Sequence, residues 1–210
     1  MTVRALLLTA LLLVPARPAA GSDVEAAEAA GAGDVTVQVT RGAAGLEVEG
    51  RCTVVAPVAI VWEVLTDYDG IDRFVSSMRE SRVTERDEHH ALVEQVAVGR
   101  LFLFSRKFQV TLFVEEFPDT TIRFADALGK DFESYVGEWR IEARPEGVGL
   151  VYQVGARPSF SIPDFLARGV FRRTARDLLA QVKTEIERRA ALEANRVGAP
   201  APVERERHGS

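Results

Sequence analysis

The chain has 210 residues, 47% of them hydrophobic and 27% charged, the balance of a globular protein long enough for one sizeable core. Its formal net charge of -5, with no clustered basic face, argues against a nucleic-acid partner. A single cysteine, Cys52, and three histidines, His89, His90 and His208, exclude an internal disulfide and leave no Cys- or His-based ligand set, so neither a metal nor a cofactor is expected.

Arg4 precedes a ten-residue apolar run, Ala5 to Val14, and Pro15 to Gly21 then supplies a helix break and small residues. This is the pattern of a signal peptide over residues 1–21, cleaved after Gly21 or one residue earlier. The run is shorter than the roughly 20 residues of a membrane span, and no cysteine stands at its end to carry a lipid anchor. The mature protein is therefore expected in a periplasmic or extracellular space. Removing Arg4 and Arg17 takes its net charge to -7. Residues 22–34, rich in Ala, Gly and acid, form an expected flexible lead-in.

Alternation begins at Val35, with Val35, Val37 and Val39 on one side, and resumes after the Gly42 to Gly45 turn over Leu46 to Val55. A period of two across a glycine turn predicts a β-hairpin. Pro57 suits the first turn of a helix. Val58, Val61, Trp62 and Leu65 recur at helical spacing after it, and a second short helix is expected over Ile71 to Val75. Six strands are predicted next: Arg79 to Arg86, Ala91 to Val98, Leu101 to Glu116, Thr121 to Ala127, Phe132 to Ala143 and Leu150 to Arg157. The turns between them, Gly99-Arg100 among them, are short enough to force antiparallel pairing. A long helix opens at Ile162-Pro163 and runs to about Ala191, with Leu166, Val170, Phe171, Ala175, Leu178, Leu179, Val182 and Ile186 on one stripe. Residues 193–210 are rich in Pro, Gly and charge and are expected to be disordered.

A single curved sheet would leave a whole apolar face bare unless something covered it. The C-terminal helix is the one element long enough to do so. With two short helices propping one end open, the expected result is an elongated interior cavity. Its mouth is expected near those helices and the Leu128 to Asp131 turn.

Three stretches carry a family likeness: Ala56 to Val83 (APVAIVWEVLTDYDGIDRFVSSMRESRV), Asp131 to Arg140 (DFESYVGEWR) and Leu150 to Pro158 (LVYQVGARP). In order and spacing the chain resembles the polyketide cyclase/dehydrase and coenzyme-Q-binding START-like group of the SRPBCC superfamily, from about Leu46 to Arg189. The resemblance implies an α+β helix-grip domain over residues 35–192, a curved antiparallel sheet wrapped around a long C-terminal helix with two short helices after the first main strand. It also implies binding of lipids, quinones, polyketides or similar apolar molecules. It does not fix one chemistry, because members include carriers, cyclases and ribosome-associating proteins.

Cavity candidates follow from register. Tyr135, Trp139 and Tyr152 share inward positions and combine an apolar body with a polar tip. Phe74 sits where a lid residue would, and Leu166 and Val170 lie on the apolar stripe of the long helix. Glu94 and Gln95 interrupt an apolar strand, so one of the two must face inward. Glu138 and Arg140 alternate outward and suit a solvated pair. Arg168, Arg172 and Arg176 recur every four residues, a stripe that could touch anionic headgroups or simply face solvent. Cys52 alternates into the core. The sequence carries no phosphate loop, nucleophile elbow or His-Glu metal spacing. No catalytic residue is nominated. The leading expectation is a monomeric extracytoplasmic binding or carrier protein for an apolar small molecule, with transient membrane contact. The alternatives are a cyclase or dehydratase working by acid-base chemistry on a polyketide-like substrate, and a protein-interaction module.

Overall fold

The fold was analysed in a computed structural model that describes residues 35–42, 45–101 and 104–198. The signal peptide and lead-in expected over residues 1–34 lie outside the described residues. So do residues 199–210 of the expected tail.

Two strands open the domain, β1 (Thr36–Gly42) and β2 (Gly45–Val54). The chain then leaves the sheet through helix α1 (Val58–Thr66) and a 3-10 helix (Tyr68–Arg73). Six further strands follow: β3 (Met78–Arg86), β4 (His90–Leu101), β5 (Phe104–Phe117), β6 (Thr121–Asp126), β7 (Phe132–Arg144) and β8 (Gly147–Pro158). Helix α2 (Asp164–Gly198) ends the described chain. The eight strands form one antiparallel sheet in the order β1-β2-β8-β7-β6-β5-β4-β3. Short turns make β3 through β8 sequential neighbours, so the single crossover is the helical excursion from β2 to the far edge. The last strand returns to pair with β2. A curved sheet with a helix across its inner face is the expected helix-grip architecture.

Three details differ from the sequence expectation. The second short helix is a 3-10 turn at Tyr68–Arg73, earlier than Ile71 to Val75, because the Gly70 amide donates to the Asp67 carbonyl at 3.0 Å and closes the turn there. Gly99 and Arg100 are not a turn. They pair with Arg106 and Ser105, and β4 continues to Leu101. Helix α2 passes Ala191 and reaches Gly198, since Glu193, Ala194 and Arg196 favour helix and Glu193 and Arg196 face each other at 3.7 Å.

Helix α2 is held at one end. Leu179, Val182 and Ile186 are almost wholly buried, in the same core cluster as Val54, Val61 and Val64 of β2 and α1. Gly50 of β2 allows this approach: a Cβ there would lie 2.2 Å from Leu179 Cδ1. Polar clamps reinforce the seam. Arg189 reaches Asp67 (2.6 Å), Glu63 (3.0 Å) and Glu185 (2.8 Å), and Lys183 donates to the Thr53 carbonyl at 2.9 Å. Gln181 accepts from the Ser76 amide at 2.6 Å. Near the 3-10 helix, buried Glu116 accepts from the Tyr68 hydroxyl (2.9 Å) and from Arg86 (2.7 and 3.0 Å), which leaves that carboxylate fully partnered.

Tight packing at Gly50 gives a first prediction. Gly50→Ala should cost about 1–3 kcal/mol by overpacking and Leu179→Ala about 2–5 kcal/mol by cavity formation. The double variant should lose clearly less than the sum in denaturant unfolding, because each change relieves the other. Additive losses would show that the two residues do not share one space. A second prediction concerns acid. Hydrogen bonds from Arg188, opposed in part by burial and then aided by Arg189, hold the Glu185 carboxyl at about 2. A carboxyl lowered in the folded state stabilises above its unfolded pKa, near 4.5, and that contribution is lost as pH falls toward 2. Glu185→Gln should therefore flatten the fall in stability between those values by about 1–2 kcal/mol, after allowance for the solvent around Arg188. An unchanged acid profile would refute the assignment.

Candidate ligand cavity

Between the N-terminal half of α2 and the inner face of the sheet lies a cavity of about 190 Å³. Gln95, Ala97 and Gly99 of β4, Phe108 and Val110 of β5, Phe132 and Tyr135 of β7, and Tyr152 and Val154 of β8 form its walls. Val170, Phe171, Thr174, Ala175 and Leu178 of α2 roof it, and Ser77 and Met78 close one side. Thr174 and Ala175 lie in the roof, whereas the larger Val182 and Ile186 fill the seam further along α2, and Gly99 makes room for the Phe108 ring, from which its absent Cβ would lie 2.5 Å away.

Aromatic rings run along this wall in one chain. Phe160 meets Phe108 (5.8 Å between centroids), Phe108 meets Phe132 (5.8 Å), and Phe132 meets Tyr135 (5.0 Å). Phe124 then bridges Tyr135 (5.8 Å) and Tyr152 (6.3 Å), and Trp139 backs Tyr152 at 4.6 Å. Two backbone features make the chain. Gly137 leaves room for Phe124, since a Cβ would sit 2.7 Å from its ring and 2.3 Å from the Gln153 carbonyl. A bulge between Phe132 and Ser134 shifts the register, so Phe132 and Tyr135, three apart, both face inward while Glu133 is turned out to Arg157 at 4.0 Å.

Polar groups in the cavity are few and neutral. The Tyr135 and Tyr152 hydroxyls lie 3.4 Å apart. Burial pushes both phenols up, that of Tyr152 well above 10, so both remain protonated at neutral pH. Gln95 donates through its amide to the buried Ser81 hydroxyl at 3.1 Å. At the rim, Arg106 lies over the Phe160 ring (3.9 Å) and pairs with Asp131 (3.2 Å), whose carboxylate accepts from the Gln109 amide (2.8 Å). Asp131 also accepts from the Ser159 amide through its carbonyl at 3.0 Å, which ties the 128–131 turn to the segment leading into α2.

Four sequence candidates come together on the lining: Gln95, Tyr135, Tyr152 and Val170. Glu94, on the opposite face of β4, is exposed and pairs with Arg82 at 3.1 Å. Gln95 is thus the member of that pair that faces inward. Trp139 and Phe74 pack against the core and do not border the cavity, and Leu166 is half-buried outside it. Arg168, Arg172 and Arg176 are exposed on α2. Glu138 pairs on the outer face with Arg123 (3.6 Å) and Arg140 (3.4 Å). Cys52 is buried, and desolvation pushes its thiol up to about 11. Phe108, Phe132, Phe160 and Phe171 are lining residues the sequence reading does not nominate. Phe108 and Phe171 were visible in apolar registers, Phe132 required the bulge, and Phe160 lies outside any periodic segment.

The outer face carries a larger depression of about 600 Å³, bordered by Glu47, Glu49, Glu115, Glu138 and Arg123. Its charges are largely solvated, whereas the inner cavity combines apolar walls with converging hydrogen-bonding groups, the usual mark of a small-molecule site.

Comparison with known proteins bears on this architecture. A family model described as polyketide cyclase/dehydrase and lipid transport matches residues 54–183. No curated protein sequence matches significantly. Among solved structures, the chain is similar to the Zhui aromatase/cyclase from a Streptomyces species, with a TM-score of 0.59 and 21% identity over 68% of this chain and 94% of that one. It is similar to a STAR-related lipid transfer protein from Xanthomonas axonopodis, with a TM-score of 0.58 and 20% identity over 72% and 93% of the two chains. Human StAR-related lipid transfer protein 5 gives a TM-score of 0.60 at 13% identity, over 75% and 84%. At these identities the likenesses establish a shared fold, and the family match spans most of that fold, from the end of β2 into α2. The chain belongs to the polyketide cyclase/dehydrase and lipid transport family.

Proposed function

We propose that this protein is an extracytoplasmic binding or carrier protein that holds an apolar small molecule, such as a lipid, quinone or polyketide-like compound, beneath α2. The observation that carries the proposal is the cavity itself, apolar and roofed by one half of a helix whose other half is anchored. The apolar run at Ala5 to Val14, followed by small residues, supports export. The family description also names cyclases and dehydratases. Acid-base catalysis calls for a group whose pKa lies near the working pH. Among the described lining residues the ionisable groups are the two tyrosines, and burial moves both away from that range. This favours holding a ligand over transforming it.

Native mass spectrometry of the protein purified from its own host should show a chain cleaved near Gly21 with an apolar molecule bound. Val170→Trp, which fills the roof, should lose that molecule while keeping its thermal transition. Recovery of the native protein consistently empty would contradict the proposal.

The exposed Arg168, Arg172 and Arg176 lie on the half of α2 that roofs the cavity, an arrangement that supports transient contact with anionic lipid during exchange. Replacing all three with Glu should weaken binding to phosphatidylglycerol vesicles, read by co-sedimentation over a lipid titration, by about a hundredfold or more and leave neutral vesicles unaffected, each basic residue near such a surface contributing about 1 kcal/mol. Equal sedimentation of both proteins would remove the membrane step.

A further inference from the structure

The cavity has a charge and size character more specific than "apolar". Among its described lining residues none bears a charge, and the hydrogen-bonding side chains are the hydroxyls of Tyr135, Tyr152, Ser77 and Thr174 and the amide of Gln95. Arg106 and Asp131, a pair of charges at the rim, neutralise one another, and the Asp126 carboxylate acts on Tyr135 with the sign that repels an anion. A carboxylate or phosphate drawn inside would be desolvated without a counter-charge, a steep cost. Volume sets the second limit. An apolar cavity of about 150 Å³ holds a benzene ring, so about 190 Å³ takes one substituted ring or two fused ones.

The tyrosine pair sets the third limit. Two phenols 3.4 Å apart share one hydrogen bond, in which one hydroxyl donates to the other. The accepting tyrosine keeps its own O–H free, so the pair presents one donor to the cavity. That donor matches a single carbonyl or ether oxygen. The ring faces beside it, on Phe132 and Phe108, suit stacking against an aromatic body.

We propose that the cavity selects an uncharged, compact ring compound bearing one oxygen acceptor, and that Tyr135 and Tyr152 act together as the specificity-determining donor for that oxygen. This rests on the binding reading above and narrows it.

Three probes of nearly one shape separate the contributions: naphthalene, 2-acetylnaphthalene and 2-naphthoate, titrated calorimetrically against the full chain at neutral pH. The ketone should bind at least about tenfold more tightly than the isosteric carboxylate. Replacing Tyr135 and Tyr152 together with Phe should weaken the ketone by about three- to tenfold and leave naphthalene within about twofold, the range of one hydrogen bond, whereas either single change leaves one hydroxyl free to donate and should cost less. Naphthoate binding as tightly as the ketone would overturn the charge selection, and an unchanged ketone affinity in the double tyrosine variant would overturn the donor role. In either case, naphthalene binding abolished by Val170→Trp would leave the carrier reading standing. Failure of all three probes while a long-chain lipid co-purifies overturns the size and charge selection alone. Failure of all three with nothing co-purifying overturns both readings.

Discussion

The seam between α2 and the β1-β2 edge governs the molecule. At Gly50 the helix comes as close to the sheet as a missing side chain allows, and Leu179 fills the space. Val182 and Ile186 extend this contact, and Arg189 fastens the same end to α1 through Asp67 and Glu63. Buried apolar area supplies most of the attraction, at roughly 25 cal/mol per Å², while the half-exposed ion pairs contribute orientation more than energy. Towards its N-terminal end the helix stands over the cavity. There Thr174 and Ala175 lie in the roof, and Ala97 and Gly99 in the wall, of the same cavity.

The hollow is furnished by strand register. Inward positions on β5, β6, β7 and β8 deliver rings that touch one another from Phe160 to Trp139. Gly137 and the bulge at Glu133 are the two departures from regular sheet that let the rings meet. Outward positions on the same strands carry charges, among them Glu138, Arg123 and Arg140, which pair on the outer face. Most charge is thus placed on the far side of the sheet, and the inward positions that line the cavity are left with neutral hydroxyls and an amide. Buried phenols with raised pKa values keep their protons at neutral pH and so retain an O–H to donate, which fits recognition of an oxygen atom better than removal of a proton.

Periodicity made most of this fold legible. The hairpin at Val35 to Val55, the succession of antiparallel strands and the long apolar stripe of α2 follow from spacings of two and of three to four residues, because burial imposes those spacings directly. Boundaries were less legible where local hydrogen bonds decide them, as in the 3-10 turn at Tyr68 and the extension of β4 through Gly99. In the site, the inward register of Tyr135 and Tyr152 could be read, but their convergence could not, since it depends on the pairing register of β7 with β8, which alternation does not encode. Gln95 and Glu94 were inseparable in sequence until pairing of β4 with β3 set which one faces Ser81. Trp139 has the right register yet lies behind Tyr152, a matter of depth that alternation does not encode.

Unequal packing along α2 is the central claim, and methyl-resolved NMR tests it most directly. With an apolar probe such as naphthalene titrated into the protein, shifts should concentrate on the methyls of Val170, Leu178, Val110 and Val154 and on the Gln95 side-chain amide. Leu179, Val182 and Ile186 should hold their positions. Shifts spread evenly along α2, or confined to outer-face residues such as Val136, would contradict the account.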